Sequence, residues 1–149
     1  MECFKTFRKA PPSQLIMTLL VKNEESMLEE NLLFHKAMGV DSFIITDNNS
    51  TDSTPEIIRK YKQKGWIKEV IEEKATDYEQ KEWVDRMIWK AKTIYKADWI
   101  INADADELWY SPSGNLKTDL SATHANVLNC EMRSVYPEEN RPFWQWDKV

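Results

Sequence analysis

The sequence predicts an α/β domain with a mostly parallel sheet and helices on both faces, a three-layer, Rossmann-like arrangement. Short apolar runs recur along the chain, each followed by an amphipathic stretch at helical spacing. No internal repeat, low-complexity tract or linker divides the 149 residues, which fit one domain over 1–149. Strands separated by helices imply right-handed crossovers, and parallel sheets bind their ligands beyond the carboxyl ends of the strands.

The first apolar run, Leu15 to Val21, reads as a buried strand. A polar turn, Lys22-Asn23-Glu24-Glu25, leads into a helix carrying Met27, Leu28, Leu32 and Met38, stopped by Gly39 as a C-terminal cap. Ser42 to Thr46 is the second strand and Asp47 to Thr54 a polar loop. Thr54, Pro55 and Glu56 then read as an N-cap, a proline at the first helical position and an acid in the first turn of a helix running to about Lys64 and Gly65. Ile67 to Ile71 is the third strand. Tyr78 to Tyr95 is a long helix with Trp83, Val84, Met87, Ile88, Ala91 and Ile94 on one wide apolar stripe. Asp98 to Ala103 is the fourth strand, and Val127 to Val135 a fifth before the aromatic tail Phe143-Trp144-Gln145-Trp146.

Composition narrows the function classes. With 42% hydrophobic and 30% charged residues the chain resembles an ordinary globular domain with a real core. A net charge of -5, from 20 basic and 25 acidic residues, argues against a nucleic-acid partner, whose phosphates demand a basic footprint. Cys3 and Cys130 lie far apart with no ligand-like spacing, so a disulfide framework and a structural zinc site are not indicated, and a reducing, cytoplasmic setting is expected. The run from Leu15 to Val21 is too short for a membrane span, although association with the inner face of a membrane stays open. Only 3 glycines are present and no Walker, GxGxxG or GxSxG motif occurs, so a phosphate would be held by metal and side chains. His35 and His124 form no pair and take no catalytic role in this reading.

The chemistry concentrates in Asp104-Ala105-Asp106-Glu107, directly after the fourth strand. Like charges so close raise one another's pKa unless a cation or strong donors compensate, and clustered carboxylates are what Mg2+ or Mn2+ prefer. An acidic turn that merely ends the strand is the plain alternative. Two more polar loops follow strands directly, at Lys22 to Glu25 and Asp47 to Asp52, and all three are expected along one edge of the sheet. Together they suit a nucleoside diphosphate: Asp47 and Asn48 for a base's imide edge, Asn23 and Glu24 for base or ribose, Asp104 and Asp106 for a metal bridging the phosphates. For Asp47 to Asp52 an Asx-type turn explains the same residues equally well. The loop is not an EF-hand, because Asp52 and Ile58 stand where that loop needs Gly and Glu.

In order and spacing, three segments resemble glycosyltransferases of the GT-A fold, in particular family 2 and its relatives with a DxDE-type metal motif. They are Leu19 to Glu25, Gly39 to Asp52, and Asp98 to Leu108. The resemblance implies a nucleotide-sugar donor, UDP-linked as first expectation, and an inverting transfer to an acceptor hydroxyl on a glycan or lipid-linked acceptor, in glycan or polysaccharide biosynthesis. Val21, Lys22, Asn23, Glu24, Asp47, Asn48 and Asp104 would hold the nucleotide; Asp104 and Asp106 would hold Mn2+ or Mg2+, with Asp106 the principal ligand. Many family 2 members have a second aspartate where this chain has Asn48, which bears on the choice of base. Arg86 and Lys90 on the long helix are candidates for diphosphate contacts, against the simpler reading of a solvated face.

On this resemblance residues 1–110 form the donor half and 111–149 a partial acceptor-side segment. The general base usually lies well after the DxD, where Glu138, Glu139 and Asp147 are the acids available, none in a recognisable motif. Trp109, Trp144 and Trp146 could stack on sugars or simply close a core. Two rival functions remain: a binding module that captures nucleotide without turnover, truncated before its acceptor half, and, as a minor alternative, a haloacid dehalogenase-like phosphotransferase, whose strand ending in Asp-x-Asp normally opens its domain, whereas here it is the fourth strand. Oligomeric state, acceptor and donor sugar are not legible.

Overall fold

The structure, a computed structural model, describes residues 13–74, 80–123, 130–132 and 134. Its order is β1 (Leu15–Val21), α1 (Leu28–Ala37), β2 (Ser42–Asp47), α2 (Thr54–Gln63), β3 (Ile67–Glu72), α3 (Gln80–Thr93), β4 (Trp99–Asp104) and α4 (Leu116–Ala122). The strands form one parallel sheet in the order β3-β2-β1-β4. The chain therefore steps outward from β1 to β3, then crosses back to place β4 on the other side of β1. The reversal point lies between β1 and β4, where a parallel sheet opens a crevice at its carboxyl edge.

Alternation along the strands divides the core in two. Leu15, Met17, Leu19 and Val21 join Phe43, Ile45, Ile101 and Ala103 against Leu28 and Leu32 of α1 and Ile58 and Tyr61 of α2. On the opposite face Ile16 and Ile44 pack with Met87 and Ala91 of α3. The expected three layers follow, with α3 on its own face because the return crossover runs in the reverse direction along the sheet. Higher on that face the pattern turns polar, and the Thr18 hydroxyl donates to Asn102 Oδ1 at 2.9 Å.

The expected strands and first helices appear within a residue or two, and the differences have local causes. Thr54 is not the cap of α2: Ser53 takes that position, the Asp52 carboxylate accepts the Thr54 N–H at 2.9 Å, and the Thr54 hydroxyl is drawn to the neighbouring loop. The far end of the expected apolar stripe overshoots both α3 and the core, leaving Ile94, one residue past the helix, 51% exposed. Of the expected fifth strand only 130–132 and 134 are described, and these carry no strand.

The sequence reading did not anticipate α4. Its Asn115 accepts the Thr118 N–H at 2.9 Å as an N-cap, and Leu116 and Leu120 pack on the larger core. The Leu116 N–H also donates to the Met38 carbonyl at 2.8 Å, so the start of α4 closes the end of α1. Gly39 makes that approach possible: its φ is +96°, and a Cβ there would lie 2.6 Å from Asn115 Oδ1. Among the described residues no helix is long and apolar enough to cross a membrane.

Candidate active site

The loops after β1 and β2 are tied to each other before they meet any ligand. Asn23, at φ +56°, turns the chain out of β1, a conformation asparagine tolerates better than most residues. Its N–H donates to Ser50 Oγ at 2.9 Å and its Oδ1 accepts the Thr51 N–H at 2.8 Å. The Glu24 N–H donates to Thr54 Oγ1 at 2.8 Å, the Glu25 N–H to Asp52 Oδ2 at 3.1 Å, and the Ser53 N–H to Glu25 Oε2 at 3.0 Å. Asp47 accepts from both the N–H and the hydroxyl of Ser50, at 3.1 and 2.6 Å. The Asx turn of this loop is at Asp52, whose Oδ1 accepts the Thr54 N–H two residues on at 2.9 Å. The Asn48 N–H completes the lacing by donating to the Val21 carbonyl at 2.8 Å.

Beside these loops β4 ends in a tight turn, closed by the Glu107 N–H on the Asp104 carbonyl at 3.1 Å. Ala103 and Ala105 are buried in the core while Asp104 and Asp106 are exposed. The alternation of the strand thus carries past its end and puts the small residues inside and the charges outside. Two polar residues of α1, Asn31 and His35, support this turn from the core side: Asn31 Nδ2 donates to the carbonyls of Ala105 and Glu107, and His35 Nε2 accepts the Trp109 N–H.

Between the ends of β1 and β4 lies a cleft of about 270 Å3, bordered by Val21, Lys22, Glu24, Asn48, Asp104 and Asp106. Leu20, Ala105 and Gln80, the first residue of α3, complete its wall. Asn23 and Asp47 do not border it, their side chains being engaged in the loop bonds above. Arg86 is ion-paired with Glu73 and Lys90 with Glu69, both away from the cleft wall. Glu138, Glu139, Asp147, Trp144 and Trp146 lie outside the described residues. Trp109 is half-buried against the larger core.

Charge repulsion registers on Glu24. Its pKa is raised above the ordinary carboxylate value, first by burial and then by Asp106, Asp52 and Asp104. A cation between these acids would relieve that repulsion. Among the described residues no three His, Cys, Asp or Glu side chains close on a single point, so Asp104 and Asp106 would supply part of a shell. A hard divalent ion takes six or more oxygens and commonly leaves the remainder to water and phosphate. The residues fit a cation that arrives with a phosphorylated ligand.

The model of glycosyltransferase family 92 matches residues 17–142, from within β1 to beyond the last described residue. The chain belongs to glycosyltransferase family 92. Its fold is that of GT-A glycosyltransferases, as the motifs predicted. The solved structures similar to it include S. aureus TarS, with a TM-score of 0.52, 17% identity and coverage of 73% of this chain and 19% of that one, and the mannosyltransferase PcManGT from Pyrobaculum calidifontis, solved with GDP-Man and Mn2+, with a TM-score of 0.51, 18% identity and coverage of 68% and 30%. At such identities the likeness is one of fold. This family 92 chain therefore spans less than a third of either. No curated protein sequence matches it.

Sequence reasoning missed Gln80, Asn31 and His35 in this family 92 chain. Gln80 gives no signal, being an ordinary polar residue at a helix start. Asn31 and His35 do: with Leu28 and Leu32 they complete a buried stripe at i, i+3, i+4 and i+7, and polar residues inside such a stripe call for partners.

Proposed function

We propose that this chain carries the donor site of a metal-dependent glycosyltransferase that moves a sugar from a nucleotide-sugar, a UDP-sugar first, to a hydroxyl of a glycan or lipid-linked acceptor, with inversion. One observation carries the reading: the cleft at the β1/β4 reversal point is where the ends of three adjacent strands bring Lys22 and Glu24, Asn48, and Asp104 and Asp106 together. Membership of family 92 supports it, as does a fold shared with a mannosyltransferase solved with GDP-Man and Mn2+.

In this reading Asp104 and Asp106 would hold Mn2+ or Mg2+, which supplies Lewis-acid stabilisation of the charge that grows on the departing diphosphate. Lys22 adds a positive charge beside the phosphates. Asn48, 5% exposed at the inner wall, offers an amide to a base edge. Asp47 acts one step back, holding the loop that presents Asn48. The acceptor's base is proposed among Glu138, Glu139 and Asp147. The setting proposed is cytoplasmic, at the inner face of a membrane, in glycan or polysaccharide synthesis; the exposed free thiol of Cys130 suits a reducing compartment.

Calorimetry with UDP, GDP and their sugars, with Mn2+ and after chelation, tests the site, and a donor-hydrolysis assay tests turnover. Metal-dependent binding with hydrolysis supports the transferase. Binding without hydrolysis selects the capture module instead. Absence of binding to every nucleotide sinks both.

A further inference from the structure

The turn that presents Asp104 and Asp106 is held by two side chains that no ligand can reach. Asn31 and His35 are both 0% exposed on the core face of α1. An amide and an imidazole in such a place destabilise the fold unless their polar groups are paired. Here they are. Asn31 Nδ2 donates both hydrogens, to the Ala105 carbonyl at 2.8 Å and the Glu107 carbonyl at 3.0 Å. His35 Nδ1 lies 2.9 Å from the Asn31 carbonyl and 3.0 Å from Asn31 Oδ1, and Nε2 receives the Trp109 N–H at 2.9 Å.

Trp109 has only a hydrogen to offer through its backbone nitrogen, so Nε2 must be bare and the proton must sit on Nδ1. That tautomer lets one imidazole join the backbone and amide of Asn31 to Trp109. Burial, opposed only in part by the Asn31 hydrogen bond, lowers the His35 pKa to about 4, so the ring is neutral near pH 7. The anchored backbone groups bracket Asp106: one carbonyl on each side of it and one amide beyond. Neither anchor contributes an atom to the cleft wall.

We infer that Asn31 and His35 are positioning residues for the metal-holding turn, fixing the backbone at 105, 107 and 109 so that Asp104 and Asp106 meet an arriving cation and diphosphate already in place. The inference rests on the donor-site reading above. Outer partners that orient ligands typically change metal affinity or activity by about 10- to 100-fold when removed. A role in stability alone would lower the melting temperature and leave the effect of metal on nucleotide binding untouched.

The test measures UDP and GDP affinity with and without Mn2+ in the 149-residue chain, together with thermal melts and amide hydrogen exchange of the ligand-free protein. His35→Phe keeps the ring and loses the acceptor; it is expected to cut the Mn2+-dependent gain in affinity by about tenfold or more, and to speed exchange at Trp109 while the amides of β1 and β2 stay protected. His35→Gln, whose amide oxygen can take the place of Nε2, is expected to restore most of the gain, and His35→Asn, one methylene shorter, is not. The Gln and Asn pair carries the comparison if the Phe variant does not fold. Asn31→Leu is expected to match His35→Phe. A folded His35→Phe or His35→Asn that keeps the full Mn2+ gain overturns the positioning role and leaves the donor site standing. A wild-type chain that binds neither nucleotide with Mn2+ overturns the donor site, and the positioning role with it.

Discussion

Asp104 and Asp106 stand in solvent while Ala103 and Ala105 are buried, and this one-residue alternation decides what the cluster can do. Carboxylates on the exposed phase can exchange water for a cation; on the buried phase they would have faced the larger core. The repulsion they create falls on Glu24, whose carboxyl is held above its ordinary pKa by burial and then by Asp106, Asp52 and Asp104. The folded state therefore disfavours the Glu24 carboxylate, so its contribution to stability is most favourable at low pH and declines as pH rises from the unfolded value of 4.5 through the raised one. Glu24→Gln is expected to raise the melting temperature at pH 7 and to have little effect near pH 4; equal shifts at both would contradict the repulsion. Asp106→Asn should melt no lower than the parent, since it removes one of those repelling charges, and should lose the Mn2+-dependent part of nucleotide binding by about tenfold or more, as expected for a lost ligand. Calorimetry with and without Mn2+ reads the second effect. Retained metal dependence in that variant would remove Asp106 from the site.

Among the elements, α1 does most to shape the turn. Its buried stripe is half polar, Leu28 and Leu32 serving the core and Asn31 and His35 serving the segment after β4. The pH consequence follows from His35. Its pKa falls from 6.5 to about 4 on folding, so between those values the unfolded chain binds a proton that the native chain refuses. Stability is thus full above the unfolded value and is lost as pH falls from 6.5 toward 4, by an amount on the order of 3 kcal/mol at the low end. Urea denaturation at steps between pH 7 and 4 should show this loss, and His35→Gln should flatten it. The far end of α1 is closed by α4. Gly39→Ala would force a side chain onto φ +96° and push its Cβ to 2.6 Å from Asn115 Oδ1. The expected destabilisation exceeds about 1 kcal/mol. An unchanged urea midpoint would mean that the contact between α4 and the Met38 carbonyl is dispensable.

For the whole molecule, the sheet order makes the site one unit. Three adjacent parallel strands end side by side, the first two of their loops share seven hydrogen bonds through Asn23, Glu24, Glu25 and Asn48, and the third loop is tied to the helix that follows the first. A ligand in the cleft should therefore protect all three together. With UDP or GDP and Mn2+, exchange is expected to slow jointly at 22–25, 47–54 and 104–109, and the melting temperature should rise and fall back on chelation. Protection confined to 104–109 would reduce the site to a metal-binding turn.

What the sequence determined by itself was the part written in local patterns. Alternating apolar runs and helical stripes specify the first four strands and the first three helices, and three polar loops placed directly after strands in the order of a known family direct the proposal of a ligand site to one edge of the sheet. The tertiary structure alone decided how those loops share the work. Asp47 and Asn23 look as suited to a nucleotide as Asn48 and Glu24 do, yet their side chains are spent on loop bonds whose partners lie three to 28 residues away. Asn31 and His35 look like defects in an apolar stripe, because their partners, Ala105, Glu107 and Trp109, are 74 to 76 residues distant. Periodicity records which face of an element is buried, and only the packed chain shows what each polar group on that face has found to bond.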